Sequence, residues 1–171
     1  GALGLGYLFA EIATIQQLTL LLGHPVYAVA FVLAVLLVAS GVGSAWSDRL
    51  APAAARPAAA GLGAGLVLLA ALLLPAVQAA QPWPLAARAG LALLVLGPFG
   101  LVMGTPFPLG LRALAGGRVA WAWAVNGFAS VIAAPLGALI ALEYGSRTLF
   151  LAAALAYGVA GMVGGRNCGR A

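Results

Sequence analysis

The chain has 171 residues, of which 64% are hydrophobic and only 6% are charged, and its mean hydropathy is +1.12. Soluble domains carry about 25% charged residues, so this composition excludes a soluble fold and indicates a membrane protein. The formal charge of +5 comes from arginines scattered between apolar runs, not from a basic stripe with interleaved aromatic residues, so we expect no nucleic acid partner.

The apolar runs are continuous and rich in alanine, leucine and glycine. A transmembrane barrel would instead show alternating strands of about ten residues. Each helical span needs about 20 residues, which leaves room for six spans and short connections. We therefore predict an all-α, polytopic transmembrane helix bundle that forms one domain over residues 1–171. The predicted spans are 1–22, 26–46, 58–80, 88–111, 119–142 and 148–164.

The first span contains a carboxylate, Glu11, with Gln16 and Gln17 just beyond it. A charged side chain in hydrocarbon costs roughly 3 kcal/mol or more, so Glu11 is expected to face the bundle. Its expected neighbours are Gln16 or a polar group of another span, such as Asn126. Two roles stay open: a protonated Glu11 that hydrogen-bonds a neighbouring helix, or a carboxylate that exchanges its proton with a cationic amine in function.

Residues 23–25 form the first connection, a tight turn in which His24 is expected to cap a helix. A lone histidine offers no zinc site of ordinary ligand count. Residues 47–57 form the longest connection, and the proline-rich residues 81–84 form another. Because Cys168 is the only cysteine, no internal disulfide is expected.

Prolines interrupt the fourth span at Pro98, Pro106 and Pro108, and each removes a helical hydrogen bond. Broken backbone at membrane depth is tolerated only where protein or a water-filled cavity satisfies it. The segment is therefore either a structural kink or the wall of a cavity. Small residues four apart predict close helix approaches at three pairs: Gly61 and Gly65, Gly100 and Gly104, and Ala154 and Gly158.

Asn126 lies about one turn inside the fifth span, where an interhelical hydrogen bond or a ligand contact would suit its amide. The glycines of residues 1–6 and 61–65 lack the strand and the full spacing of a nucleotide loop. With no haem ligand pair or metal cluster in the sequence, we expect no cofactor in this segment. Bound lipid is the expected ligand.

Arginines set the predicted topology. Two of them, Arg88 and Arg147, fall on one face, and six fall on the other: Arg49, Arg56, Arg112, Arg118, Arg166 and Arg170. The positive-inside rule places the six-arginine face in the cytoplasm, and with it both termini. Because the chain starts at Gly1 and enters a span at once, we expect a fragment of a longer protein.

Four segments occur in this order: GLGYLFAEIATIQQLTLLLGHPVYAV (4–29), SGVGSAWSDR (40–49), MGTPFPLGLR (103–112) and WAWAVNGFASVIAAP (121–135). Together they resemble the C-terminal membrane region of bacterial spermidine-synthase-like proteins, in which a soluble aminopropyltransferase-type domain is joined to membrane spans. The resemblance implies a multi-pass protein of the bacterial inner membrane that anchors a cytoplasmic transferase domain and handles its substrate. It aligns Glu11 with the family's intramembrane glutamate and His24 with its Gly-His-Pro turn, with no established catalytic role for either. The residues of the transferase chemistry itself are not in this chain.

A second pattern resembles the cytoplasmic loop between helices two and three of major-facilitator transporters. It comprises Gly43, Asp48, Arg49 and Arg56, a glycine followed by Asp-Arg and a later basic residue, and Arg112 ends a later span on the same predicted face. Six spans with both ends inside would equal one half of such a transporter, whose two halves enclose a midplane site. A structural subunit of a larger membrane complex explains the composition equally well and predicts no site.

Overall fold

A computed structural model describes residues 1–114 and 118–163 of the protein, and these residues form helices and turns without any strand. The prediction of an all-α bundle is confirmed. The helices are α1 (Ala2–Leu22), α2 (Pro25–Trp46), α3 (Ala55–Ala80), α4 (Leu85–Met103), α5 (Pro106–Arg112) and α6 (Arg118–Val163), with two 3-10 turns at Ser47–Arg49 and Pro52–Ala54.

Five helical segments are long and apolar enough to cross a membrane, and the last of them, Arg118–Met162, has 45 residues. One crossing needs only about 20 residues. Gly145, with φ 80° and ψ 169°, breaks the helical conformation of α6, so residues 118–144 are named α6a and residues 146–163 are named α6b. With α6 divided in this way and with α4 and α5 counted together as the interrupted fourth span, the helices match the six predicted spans.

The two arms of α6 form a hairpin alongside α1. Gly4 of α1 lies against Asn126 of α6a, and Gln17, near the other end of α1, bonds Ser146. Gly6 lies against Tyr157 of α6b. Thus α6a runs parallel to α1 and α6b returns antiparallel to it. The predicted spans leave residues 143–147 as a connection, and the chain does reverse within this range, but through the single residue Gly145, because glycine adopts a positive φ at no steric cost.

The turn between α1 and α2 follows from its three residues. Gly23 adopts φ 78°, and its N–H bonds the carbonyl oxygen of Thr19, which closes α1. His24 then accepts a 3.3 Å hydrogen bond at Nδ1 from the N–H of Val26, while Pro25 starts α2. The predicted capping role of His24 is confirmed.

One end of the bundle, named the arginine-rich end, holds Gly1, residues 47–57, Arg112 and Arg118. Gly1 and Arg118 line one groove together with Val159, and the Nε of Arg56 bonds the carbonyl oxygen of Gly161. The first helical residues of the chain and the last described ones therefore lie at the same end, as the arginine count predicts. Arg166, Arg170 and Cys168 lie outside the described residues, and the cytoplasmic orientation of this end stays a prediction.

The other end, named the opposite end, holds His24, residues 81–84 and Gly145. Here side chains of the third connection and of α4 cap the C-terminus of α1. Gln81 donates to the carbonyl oxygen of Leu20 at 2.7 Å, and Arg88 donates to that of Leu21 at 2.8 Å. Because the last carbonyls of a helix have no partner inside it and carry partial negative charge, these donors stabilise the end of α1.

Glycines set the closest helix contacts. A Cβ at Gly104 would collide with the backbone of Ser40, and a Cβ at Gly43 would collide with the carbonyl of Leu101. Gly100 lies against Ala39, so α2 and α4 meet backbone to backbone along one seam. The predicted approach at Gly100 and Gly104 is confirmed.

Of the predicted pair Gly61 and Gly65, the approach at Gly61 is wrong, since no described side chain or neighbouring helix lies within 4 Å of the position a Cβ would take there. The approach at Gly65 is confirmed, because a Cβ there would lie 3.1 Å from the ring of Phe99 in α4.

Gly63, on another face of α3, makes a further contact. Gly63 lies against the backbone of Ala154 and Gly158 in α6b, which confirms the close approach predicted at Ala154 and Gly158. Spacing alone predicts that a helix has a small-residue face, but not which of its glycines meets a neighbour.

Candidate functional site

A cavity of about 580 Å³ lies in the half of the bundle nearest the arginine-rich end. α1 forms its floor, α2 and α6a form its two sides, and residues 103–111 form its end wall. It is named the α2–α6a cavity. It exists because α2 and α6a each pack on α1 without packing on each other. Six of the lining residues carry polar side chains: Tyr7, Ser40, Ser44, Asn126, Ser130 and Tyr157.

The proline-rich break in the fourth predicted span forms the end wall. α4 ends at Met103 and α5 begins at Pro106, while Pro98 stays within α4 and Pro108 lies in the first turn of α5. Gly104, Pro106 and Pro108 all line the cavity. Of the two predictions for this segment, the cavity wall is therefore the correct one.

An aromatic pair joins the end wall to α6a. The rings of Phe107 and Trp123 meet edge to face, with centroids 4.8 Å apart and planes at 84°. Edge-to-face geometry is a preferred arrangement for two aromatic side chains. Both residues line the cavity, so this pair closes the side of the α2–α6a cavity at which α5 meets α6a.

Asn126 makes the interhelical hydrogen bond that the sequence predicts. Its Oδ1 accepts from the N–H of Gly4 at 2.8 Å. That N–H belongs to the first turn of α1, where backbone donors have no partner in their own helix, so Asn126 caps α1 from another helix. Asn126 also lines the cavity, so this residue joins α6a to α1 at the cavity wall.

Hydroxyl groups supply the rest of the polar lining. The Oη of Tyr7 lies 3.4 Å from the Oγ of Ser40 across the α1–α2 contact. Ser130 donates to the backbone carbonyl of Asn126, one turn before it, at 3.0 Å. Neither Tyr7 nor Ser130 is identified by the sequence analysis, although Gly4, Tyr7 and Glu11 have the spacing of one helical face.

Glu11 lies one turn beyond Tyr7 on the α1 face that forms the floor of the cavity. Gly4, Tyr7 and Leu8 line the cavity, and a step of three or four residues from Tyr7 and Leu8 leads to Glu11 on the same face. Its side chain is half-buried. In residues 1–114 and 118–163 the side-chain hydrogen bonds of α1 involve Tyr7, Thr14, Gln17 and Thr19, but not Glu11.

The expected neighbours of Glu11 are not beside it. Asn126 lies at the level of Gly4, about two helical turns nearer the arginine-rich end, and uses its oxygen there. Gln16 is half-buried on a face about 140° around α1 from Glu11. Gln17 points to α6b and bonds Ser146 at 2.5 Å. The structure therefore separates the three polar residues that the sequence groups together.

His24 is also remote from the cavity. It is exposed at the opposite end, where its ring lies 5.2 Å from that of Tyr27. The contacts of His24 belong to the turn that joins α1 to α2, and a functional role for this residue stays a prediction.

The loop motif of Asp48, Arg49, Arg56 and Arg112 lies at the arginine-rich end. The guanidinium of Arg112 donates to the backbone carbonyl oxygens of Ser47, Asp48 and Leu50. Arg112 therefore fastens the first 3-10 turn to α5 through the backbone. Asp48 and Arg49 are exposed.

The composition of the α2–α6a cavity limits what it is able to bind. Its described lining contains hydroxyls, one amide and apolar groups such as Leu8, Leu37 and Met103, but no arginine or histidine. Glu11, one turn beyond, is the nearest charged residue on the floor helix. In the part of the chain that the structure describes, no group of three or more His, Cys, Asp or Glu side chains is placed to hold a metal ion.

Neither a protein-family model nor a curated protein nor a solved structure matches the chain. The relation to spermidine-synthase-like proteins therefore rests on the four sequence segments that resemble that family. All four contribute residues to the described bundle, and all four line the cavity, with Tyr7, Ser40, Pro106 and Asn126 among others.

Proposed function

We propose that the chain is the membrane domain of a spermidine-synthase-like protein, which anchors a transferase domain at the arginine-rich end and binds an amphipathic amine in the α2–α6a cavity. The observation that carries the proposal is the position of this cavity. The cavity lies in the same half of the bundle as Gly1. Its floor helix, α1, runs from the arginine-rich end to Glu11.

The proposed ligand class follows from the lining. An ammonium group needs acceptors and a negative charge. The hydroxyl oxygens of Tyr7, Ser40 and Ser130 line the cavity, and the Glu11 carboxylate lies one turn beyond it on α1. No positive side chain of the described lining would repel it. Leu8, Leu37 and Met103 offer apolar contact to a hydrocarbon part. Since α2 and α6a do not pack together, the ligand would reach the cavity from the bilayer.

Octylamine and octanol test the charge requirement, because they share a chain length and differ in the ammonium group. The full-length protein in nanodiscs is titrated with each compound by calorimetry, with empty nanodiscs as the blank. We expect octylamine to bind and octanol to show no saturable binding. Equal binding of both compounds would contradict the proposed ligand class.

Two glutamates form a matched pair of variants. Glu11→Gln keeps the shape of the side chain but removes its charge, and we expect octylamine affinity to fall about tenfold, as loss of a hydrogen bond to a charged group does. Glu143→Gln changes an exposed carboxylate outside the cavity and is expected to have no effect. If both variants bind like the unaltered protein, Glu11 has no part in binding.

The coding sequence upstream of Gly1 tests the anchoring role. The proposal requires a Rossmann-like transferase domain there, at the arginine-rich end. Six further spans without such a domain would contradict it and favour a transporter.

A transporter half is a second candidate, favoured by the open flank between α2 and α6a. In a transporter of this kind a second six-span unit would cover that flank. Ala134, one turn beyond Ser130 on α6a, is exposed there. A transporter half predicts that Ala134→Cys cross-links to a second six-span unit, whereas the membrane-domain proposal predicts that it does not.

A further inference from the structure

A second cavity, of about 300 Å³, lies near the opposite end where α1, α3 and α6b meet. It is named the junction cavity. Leu69, Leu73 and Phe150 give it apolar walls, and its polar groups come from Gln17, Ser146 and Arg147. It lies at the other end of α1 from the α2–α6a cavity, so a ligand in the junction cavity would bind independently of an amine in the α2–α6a cavity.

Gln17, which lines this cavity, has an unpaired acceptor. The side chain is only 7% exposed, and its Nε2 donates to the Oγ of Ser146 at 2.5 Å. Its Oε1 is buried and has no hydrogen-bond partner among the described residues. Buried polar atoms are normally hydrogen-bonded, so Oε1 is suited to a donor from a bound molecule.

Pro75 creates a second acceptor. It lies inside α3, and a proline has no N–H to give to the carbonyl four residues earlier, which here is that of Ala71. Ala71 and Pro75 both line the junction cavity, so the carbonyl that loses its helical donor belongs to a residue of the cavity wall. Two lining residues from different helices, Gln17 and Ala71, therefore each carry an acceptor oxygen without its usual donor.

Positive charge borders the same cavity. The chain reversal at Gly145 places the start of α6b here, with Ser146 and Arg147 in its first turn. The first N–H groups of a helix are unpaired and carry partial positive charge, and Arg147 adds a full charge. A helix start of this kind favours an anionic group.

We propose that the junction cavity binds a small zwitterion with an ammonium group next to a carboxylate, such as an apolar amino acid. Its ammonium group bonds Gln17 Oε1 and the Ala71 carbonyl, and its carboxylate meets Arg147 and the start of α6b. A simple amine would be repelled by Arg147, and a simple carboxylate would face two acceptor oxygens. The apolar walls at Leu69, Leu73 and Phe150 accommodate a hydrocarbon side chain.

Leucine, isocaproate and isoamylamine test this inference, because the second lacks the amine and the third lacks the carboxylate. Leucine binding to the full-length protein in nanodiscs is measured by calorimetry. Each analogue is measured as a competitor of leucine, because isoamylamine is also an amine that the α2–α6a cavity is proposed to bind. We expect leucine to bind, and each analogue to bind at least about tenfold more weakly, since each loses a charge-assisted hydrogen bond. If leucine does not bind, or if either analogue binds as well as leucine, the inference is overturned.

Proline variants separate binding from folding. Pro75→Ala restores an N–H to the Ala71 carbonyl, so the helix is not weakened while one acceptor is lost, and leucine affinity should fall about tenfold. Pro135→Ala makes the same change inside α6a, away from the junction cavity, and should leave leucine binding unchanged. Equal leucine affinity in the Pro75→Ala variant and in the unaltered protein would contradict the role of the freed carbonyl.

Discussion

The two flanks of α2 differ although one helix forms both. On the flank toward α4, Gly43 of α2 and Gly104 at the end of α4 bring the two backbones into contact. On the flank toward α6a the helices do not pack together, and Leu37, Ser40 and Ser44 of α2 line a cavity instead.

The difference shows what brings helices together in a bilayer. Lipid chains are as apolar as leucine, so apolar side chains alone give two helices little reason to associate. Close contact then depends on glycines that face each other, and the α4 flank has them. The α6a flank has Tyr7 on its floor, whose hydroxyl reaches toward Ser40, and its polar groups find partners without bringing α2 and α6a together.

Adding one methyl group to the closed flank should have the largest effect. In Gly43→Ala the new Cβ meets the carbonyl of Leu101, so α2 and α4 must separate. Overpacking of this kind costs typically about 1–3 kcal/mol, and we expect the free energy of unfolding to fall by that amount. Unfolding is followed by circular dichroism during titration of mixed micelles with SDS.

Gly41→Ala is the matched control, because it adds the same methyl group two residues away in the same helix. Among the described residues, no other side chain or neighbouring helix lies within 4 Å of a Cβ at Gly41. Alanine favours a helix over glycine by about 1 kcal/mol, so this variant should be as stable as the unaltered protein or more stable. Equal destabilisation by both substitutions would show that the α4 flank is not closely packed.

A smaller effect on the free energy of unfolding is expected at the contact between α6a and α1, beside the α2–α6a cavity. Asn126→Leu removes the acceptor for the N–H of Gly4 and should lower the free energy of unfolding by about 1 kcal/mol, the typical value of an interhelical hydrogen bond in a membrane. The same SDS titration measures it. Phe128→Leu, at an exposed position two residues on, is expected to change stability by less, and a larger loss there than at residue 126 would contradict the capping role.

Much of the fold is predictable from the sequence because a helix must be long and apolar to span the hydrocarbon of a membrane. Apolar length fixes the spans, and the turn at residues 23–25 carries its own signals in Gly23, His24 and Pro25. The hairpin of α6 is different. Glu143 to Arg147 has the composition of a loop, yet helix continues on both sides of Gly145 because that one glycine is enough to reverse the chain.

The candidate site is less predictable, since it depends on which helices are neighbours. Gln17 and Ser146 are 129 residues apart, and no local pattern pairs them. The prolines near Pro106 predict a kink or a cavity wall, and the structure decides for the wall because this segment lines the space that α2 and α6a leave between them. The sequence identifies Glu11 by the energetic cost of a charged side chain in the membrane. Its neighbours depend instead on how the other helices are arranged around α1.

The reactivity of two introduced cysteines tests the open flank most directly. Ser130→Cys places a thiol in the α2–α6a cavity, while Ala133→Cys places one at a fully buried position of the same helix. Both are made with Cys168→Ser and treated with a cationic methanethiosulfonate in membranes open on both faces. A cavity of the proposed kind predicts rapid labelling at residue 130, slowed by octylamine, and no labelling at residue 133. A thiol at residue 130 as unreactive as the one at residue 133 would contradict the account.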